Sequence, residues 1–269
     1  DRGDSAARRV AAEHGLTLSR PSGGVDAAAP VDVRMPRVAI YRSWQAAMPE
    51  GWTRWVLDQY GFAWENVWDA DVRGGALSRF DVLLLPSQGA SGIRDGHAPG
   101  RMPPQYVGGL GAEGVAAIEA FVQNGGRLVA FDQAVDFALE AFFLPGSIIQ
   151  LEVDDEHPLG WGMAPDAVTL FARSQVLERT DGGRTTGVST PVCYADTDYL
   201  ISGWTLGGDT YLAGRTAAAR VAVGDGDVVL FAFQPHFRGQ PRNTFKLLFN
   251  ALMGASTEGL PEGGGLECR

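Results

Sequence analysis

The sequence predicts a three-layer α/β fold, a doubly wound, mainly parallel sheet with helices on both faces, followed by a β-rich second half. Three observations carry that expectation. Strand candidates between residues 37 and 131 are nearly all apolar, as strands buried on both faces must be. They alternate with stretches whose apolar residues recur at helical spacing. Beyond residue 145 that spacing gives way to short strand candidates separated by turn residues.

Taken in order, SAARRVAAEHGLTL (Ser5 to Leu18) reads as a short helix stopping at Gly15, too short to fold alone. Residues 19–35, rich in Pro, Gly and small residues, read as a linker. RVAIYRSW (Arg37 to Trp44) is the first buried strand, and Gly51 to Gly61 is a helix with Trp52, Trp55, Val56 and Gln59 at helical spacing. Ala63 to Trp68 and DVLLLPS (Asp81 to Ser87) are the next strands, before a Gly- and Pro-rich loop from Gln88 to Gly111. GAEGVAAIEAFVQNGG places Val115, Ile118 and Val122 on one helical stripe, with Asn124, Gly125 and Gly126 as the stop. RLVAF (Arg127 to Phe131) is a fourth strand, followed by a turn and a helix through Ala141.

The second half reads as strands IIQLEV, AVTLFA, PVCYA and YLISGW, then a hairpin, TAAARVAVGDGDVVLFAF, turning at Gly224, Asp225 and Gly226. NTFKLLFNALMG closes the fold as a helix capped by Asn243, with Phe245, Leu248, Phe249 and Leu252 as its stripe and Gly254 as its stop. Residues 255–269 are polar and Gly-rich and read as a disordered tail. The expected divisions are therefore 1–18, 19–35, 36–254 and 255–269.

With 22 basic against 32 acidic side chains, the net charge of −10 argues against nucleic-acid binding, which needs a basic face. No uninterrupted apolar stretch approaches the ~18 residues of a membrane span. No basic segment followed by an apolar one marks a signal peptide, and the chain reads as a piece of something longer. Two cysteines are too few for a disulfide framework: Cys193, in the apolar run PVCYA, reads as a buried small hydrophobe, and Cys268 lies in the polar tail.

Ligands of a doubly wound sheet bind beyond the carboxyl ends of its strands. Three such ends are legible: Arg42 to Trp44, Ser87 to Gln88, and Asp132 to Gln133. The last is a strand feeding sharply into a helix, the geometry of a nucleophile elbow. Acyl transfer there needs Cys or Ser, and the sequence supplies Asp132, Gln133 and Ala134.

The blocks RVAIYRSW, EGWTRWVLDQYGF, FDVLLLPSQ, the run from GHAPG to VAFD, PGSIIQLEVDDEHPLGWGM, SGWTLGGDTYLAGRTAAARV and VVLFAFQPHFRGQPRNTFKLLFNALM come in that order. So arranged, they resemble the class I glutamine amidotransferase-like domain attached C-terminally to bacterial zinc carboxypeptidases of the carboxypeptidase A-like family. The likeness covers residues 36 to 253. It implies a flavodoxin-like fold, a peptidase domain upstream of residue 1 in the same polypeptide, and export to the periplasm or beyond. Zinc is implied only in that upstream domain. True glutamine amidotransferases carry Cys at the elbow and a His-x-Glu dyad near the end. Here the elbow has Asp132, and His236 is followed by Phe237 and Arg238. Residues 138–147 also form a shorter excursion than in relatives.

A carboxypeptidase-type zinc site needs a His-x-x-Glu pair and a distant His. None of the four histidines, His14, His97, His157 and His236, begins such a pair.

Each candidate also has a plain structural reading. His236 serves as a hydrogen-bonded histidine at a strand end, Asp132 as a helix cap, and His97 as a turn residue. Trp44, Trp52, Trp55, Trp64 and Trp68 serve as packing, with a sugar or peptide platform as the alternative. Three functions compete. The first is a non-catalytic accessory domain that packs on the peptidase domain, with self-association open. The second is a small-ligand module, for a peptide or a sugar, using the switch-point crevice with Gln88, His97, Asp132, Gln133 and His236 as lining. The third is a hydrolase of esters or halides in which Asp132 works with His236.

Overall fold

A computed structural model describes residues 2–13, 33–137, 145–164, 166–172, 174–178, 187–205, 207–257, 259–261 and 266–268. The chain divides into two units, residues 1–32 and 33–269. In the first, the expected short helix is α1, Arg2–Glu13. Its stop at Gly15 and most of the linker reading fall outside the described residues.

The second unit holds one ten-stranded sheet. Its strands are β1 (Val38–Tyr41), β2 (Trp64–Val67), β3 (Val82–Leu85), β4 (Arg127–Phe131), β5 (Pro145–Val153), β6 (Val168–Ala172), β7 (Val188–Tyr194), β8 (Leu200–Ser202), β9 (Thr216–Val223) and β10 (Gly226–Phe231). Their spatial order is β2-β1-β3-β4-β10-β9-β7-β5-β6, with β8 paired to β5. The pairs β1/β2, β1/β3, β3/β4 and β4/β10 are parallel. From β10 onward every pair is antiparallel.

The expected mainly parallel sheet is thus a mixed one. Parallel pairing needs a crossover connection, and the longest helix described between residues 145 and 223 is four residues, so the strands there pair antiparallel. Every residue of β1 and β3 is buried, so both sheet faces are covered there, whereas edge strand β2 is buried only at Val67.

The helices follow their apolar stripes with local shifts. Helix α2 (Met48–Gln59) begins three residues earlier than the spacing suggests, with Pro49 in its first turn, where a missing N–H costs nothing. It is followed by α3 (Asp69–Arg73), α4 (Ala90–Arg94) and α5 (Gly111–Gln123). In α5 the buried positions are Gly114, Ile118, Phe121 and Val122, and Val115 is only partly covered. A side chain at Gly114 would meet Leu110 at 2.8 Å, so the absent Cβ turns the stripe by one residue. A four-residue helix, α6 (Gly208–Tyr211), precedes α7 (Phe245–Gly254).

Helix α7 is not capped by Asn243. That residue sits in a 3-10 turn, Arg242–Thr244, whose Thr244 hydroxyl donates instead to the Pro235 carbonyl at 2.6 Å. Tyr60 and Phe62, just past α2, pack on Phe249 of α7 at centroid distances of 4.7 and 5.3 Å. The expected helix after β4 is a 3-10 segment, Asp132–Phe137, and the residues through 144 lie outside the described set.

The end of the sheet away from the strand carboxyl ends is fixed by ion pairs. Arg127 on β4 and Arg220 on β9 both grip Asp227 on β10, and Arg127 also donates to the Ala251 carbonyl. Burial alone would raise the Asp81 carboxyl, yet Arg34 and Arg37 hold it well below the ordinary carboxylate range. The hairpin turn is two residues, Gly224 and Asp225, with Gly224 at φ +61°, a conformation that favours glycine.

Cys193 is buried, as the sequence reading has it, but neither cysteine is free. Cys193 on β7 is disulfide-bonded to Cys268, 75 residues on. The segment read as a disordered tail is tied down where it is described: Thr257 bridges Val33, Ser256 donates to the Arg34 carbonyl, and Cys268 is covalently anchored.

Candidate functional site

Four parallel strands, β1, β3, β4 and β10, end side by side, and the residues following each one build a common crevice. After β1 come Arg42, Ser43 and Trp44. After β3 come Ser87 and Gln88, after β4 Asp132 and Gln133, and after β10 Gln234. The Ser43 hydroxyl and the Gln88 amide exchange hydrogen bonds at 2.8 and 3.0 Å, tying the β1 end to the β3 end.

Asp132 occupies the elbow. Its φ is +49°, a left-handed value that an aspartate tolerates better than most residues, and it is 1% exposed. One carboxylate oxygen, Oδ2, accepts from the Ser87 hydroxyl at 2.6 Å and from the Gln234 amide at 3.1 Å. The other, Oδ1, is buried and accepts no hydrogen bond. Burial pushes the Asp132 carboxyl up to about 6, against the lowering pull of Ser87, Gln234 and the Gln133 backbone N–H.

His236 is equally buried but faces elsewhere. Its Nε2 lies 2.8 Å from the Thr53 hydroxyl of α2. Thr53 Oγ1 donates its own proton to the Pro49 carbonyl at 3.0 Å, so it accepts from Nε2–H. That leaves Nδ1 bare, and it has no partner. Burial pushes the imidazole down to about 4, so His236 is neutral near pH 7, its ring edge-to-face with Phe131 at 5.1 Å. Asp132 and His236 are therefore not hydrogen-bonded to each other.

The remaining expected residues divide. Gln88 lines both parts of the crevice and Gln133 one. His97 lies on the loop above, pairing its backbone with Gly108 and placing Nε2 3.2 Å from the Trp44 carbonyl, as the turn reading has it. Sequence reasoning missed Gln234 and Arg238. Residues 216–233 read as a hairpin, which hides that β10 is also the parallel neighbour of β4 and delivers Gln234 beside the elbow.

The crevice has two contiguous parts. A cleft of about 730 Å³ is walled by Arg42, Trp44, Trp52, Trp55 and Trp68, with Glu50 and Arg54. A second of about 630 Å³ is lined by Ser87, Asp132, Gln133, Gln234, Phe237 and Arg238. In the first, Trp44 stacks on Trp68 at 3.9 Å, Arg42 lies over Trp68 at 4.8 Å, and Trp52 meets Trp55 edge-on at 5.8 Å. Glu50 is buried and pairs with Arg54 at 2.8 Å. Among the described residues, no group of three or more His, Cys, Asp or Glu side chains is placed to hold a metal ion. Nor is any helix among them long and apolar enough to cross a membrane.

No protein-family model and no curated protein sequence matches the chain. Solved structures do resemble it in fold. A cytoplasmic protein from Salmonella typhimurium is 14% identical at a TM-score of 0.50, over 81% of this chain and 97% of that one. A ThuA-like protein from Bacteroides uniformis is 13% identical at 0.49, over 85% and 94%. A GMP synthase subunit protein from Thermoplasma acidophilum is 9% identical at 0.47, over 83% and 94%. Likeness at this level of identity concerns fold alone. The Salmonella match accords with an α/β fold.

Proposed function

We propose that this chain is a non-catalytic amidotransferase-like module, accessory to a zinc carboxypeptidase-like domain of the same polypeptide. The observation that carries the first part is the elbow itself. The left-handed turn after β4 is present, but a carboxylate stands there, bonded to Ser87 and Gln234, while His236 is committed to Thr53. An aspartate is a poor nucleophile toward an amide, and His236, bonded to Thr53, is not bonded to it as an amidotransferase His is to its Cys.

The β2-β1-β3-β4-β10 order is the 2-1-3-4-5 order of flavodoxin-like sheets, and supports reading the parallel half as a three-layer sandwich of that kind. The peptidase link rests on the sequence blocks alone. The Cys193–Cys268 disulfide supports an oxidising compartment, as export would provide.

A glutaminase assay on the chain is expected to read as blank; glutamine turnover that Asp132→Ala abolishes overturns the proposal. The reading frame upstream of residue 1 is expected to encode a His-x-x-Glu pair and a distant His. A second role is compatible with the first and is favoured by the roughly 730 and 630 Å³ clefts: a small-ligand site in the crevice.

A further inference from the structure

The small-ligand role leaves the ligand's chemistry open, and the inference here rests on that role. The two clefts share Met48, Trp52 and Gln88 as a common wall, so they form one depression with an aromatic end and a polar end. At the aromatic end, Trp44 and Trp55 remain 37% and 42% exposed. Ring surface of that extent, gathered in a concavity instead of scattered singly, marks a binding site more often than unfinished packing.

At the polar end, Asp132 Oδ1 is buried without a donor although Oδ2 has two. Oδ1 itself is covered, so the polar groups this end offers a ligand are the half-buried Gln133 amide and the exposed Arg238 guanidinium. Of the three described non-glycine residues with left-handed backbone, Asp132 and Arg238 both line this cleft. Strained backbone of that kind concentrates at ligand sites.

Charge narrows the class. A carboxylate on the floor opposes phosphates and other anions. Arg42, Arg54 and Arg238 along the walls oppose cations, and Arg54 is already paired with Glu50 while Arg42 lies against Trp68. What remains is a neutral ligand rich in hydroxyl donors, with an apolar face to lay on an indole. We propose that the continuous cleft binds a neutral saccharide, one ring face against Trp52 and Trp55 and its hydroxyls toward Gln133 and Arg238.

The test is calorimetric titration of the full chain with maltotriose, cellotriose and triacetylchitotriose, with trialanine amide as the peptide comparison. At least one saccharide is expected to bind with a Kd on the order of 1 mM or tighter. Trp55→Ala and Gln133→Ala are each expected to weaken it about tenfold. Trp161→Ala, at an exposed indole outside the cleft, leaves it unchanged. Equal thermal unfolding of wild type and Trp55→Ala excludes misfolding as the cause of the loss. The proposal is overturned if no saccharide binds at about 20 mM, or if binding survives Trp55→Ala and Gln133→Ala alike. Binding of the tripeptide alone overturns it too, while preserving the small-ligand role. Glutamine turnover, assayed in parallel, bears only on the non-catalytic reading.

Discussion

Asp132→Asn should make the protein more stable at neutral pH, and the size of the gain follows from the elbow. The folded carboxyl titrates at about 6 against an ordinary 3.8, and the residue is 1% exposed, so solvent screening discounts little. A displacement of about two pH units corresponds to about 3 kcal/mol. The sign follows from proton binding: between pH 4 and 6 the folded chain holds this proton and the unfolded chain does not, so stability is lost as pH rises through that window.

Asparagine tolerates the same left-handed backbone and keeps an acceptor for Ser87. Its amide adds a buried donor without a partner, costing about 1 kcal/mol at every pH. The net expectation is a gain of about 2 kcal/mol at pH 7 and a loss of about 1 kcal/mol below pH 4.

The wild-type curve alone hides this effect. His236, pushed down to about 4, gives the opposite slope over nearly the same range, because its unfolded form takes up a proton that the folded form refuses. Urea unfolding of both proteins from pH 3.5 to 7.5 isolates the Asp132 contribution as a difference. A difference that stays flat across pH 4 to 6 refutes the assigned burial of this carboxylate.

Four further variants have expected outcomes. Asp132→Cys restores a thiol to the elbow but no glutaminase activity, since His236 stays bonded to Thr53; measurable turnover would count against that arrangement. Arg127→Ala, which strips Asp227 of its main buried partner, costs about 3 kcal/mol or more by urea unfolding. Breaking the surface pair by Arg215→Ala costs less than about 1 kcal/mol, and equal losses for the two would show that burial is not what matters. Cys268→Ser opens a 75-residue loop and lowers stability by up to about 4 kcal/mol, whereas an unchanged urea midpoint would mean the tail is not tied to β7.

Much of the fold was legible because its signals are local. β1 is a run of four apolar residues between Arg37 and Arg42, β3 another between Asp81 and Pro86, and the β9–β10 turn announces itself in Gly-Asp-Gly. The elbow was legible for the same reason, as a strand running straight into Asp132. Features that depend on partners distant in sequence were not. The sheet turns antiparallel at β10 because β9 and β7 pair there, and periodicity says nothing about neighbours. Gln234 reaches the elbow through the β4–β10 pairing, and Cys193 meets Cys268 across 75 residues. The stripe of α5 shifts to Gly114 because Leu110 fills the space a side chain would need, a packing fact invisible in spacing.

The separation of Asp132 from His236 is most directly read by nitrogen NMR of the His236 ring from pH 5 to 8. The expected spectrum shows a neutral imidazole protonated at Nε2, its Nδ1 shift that of a bare nitrogen and unmoved as Asp132 loses its proton near pH 6. An Nδ1 that carries the proton, or one whose shift follows the Asp132 titration, would join the two residues into a working pair and contradict a silent elbow.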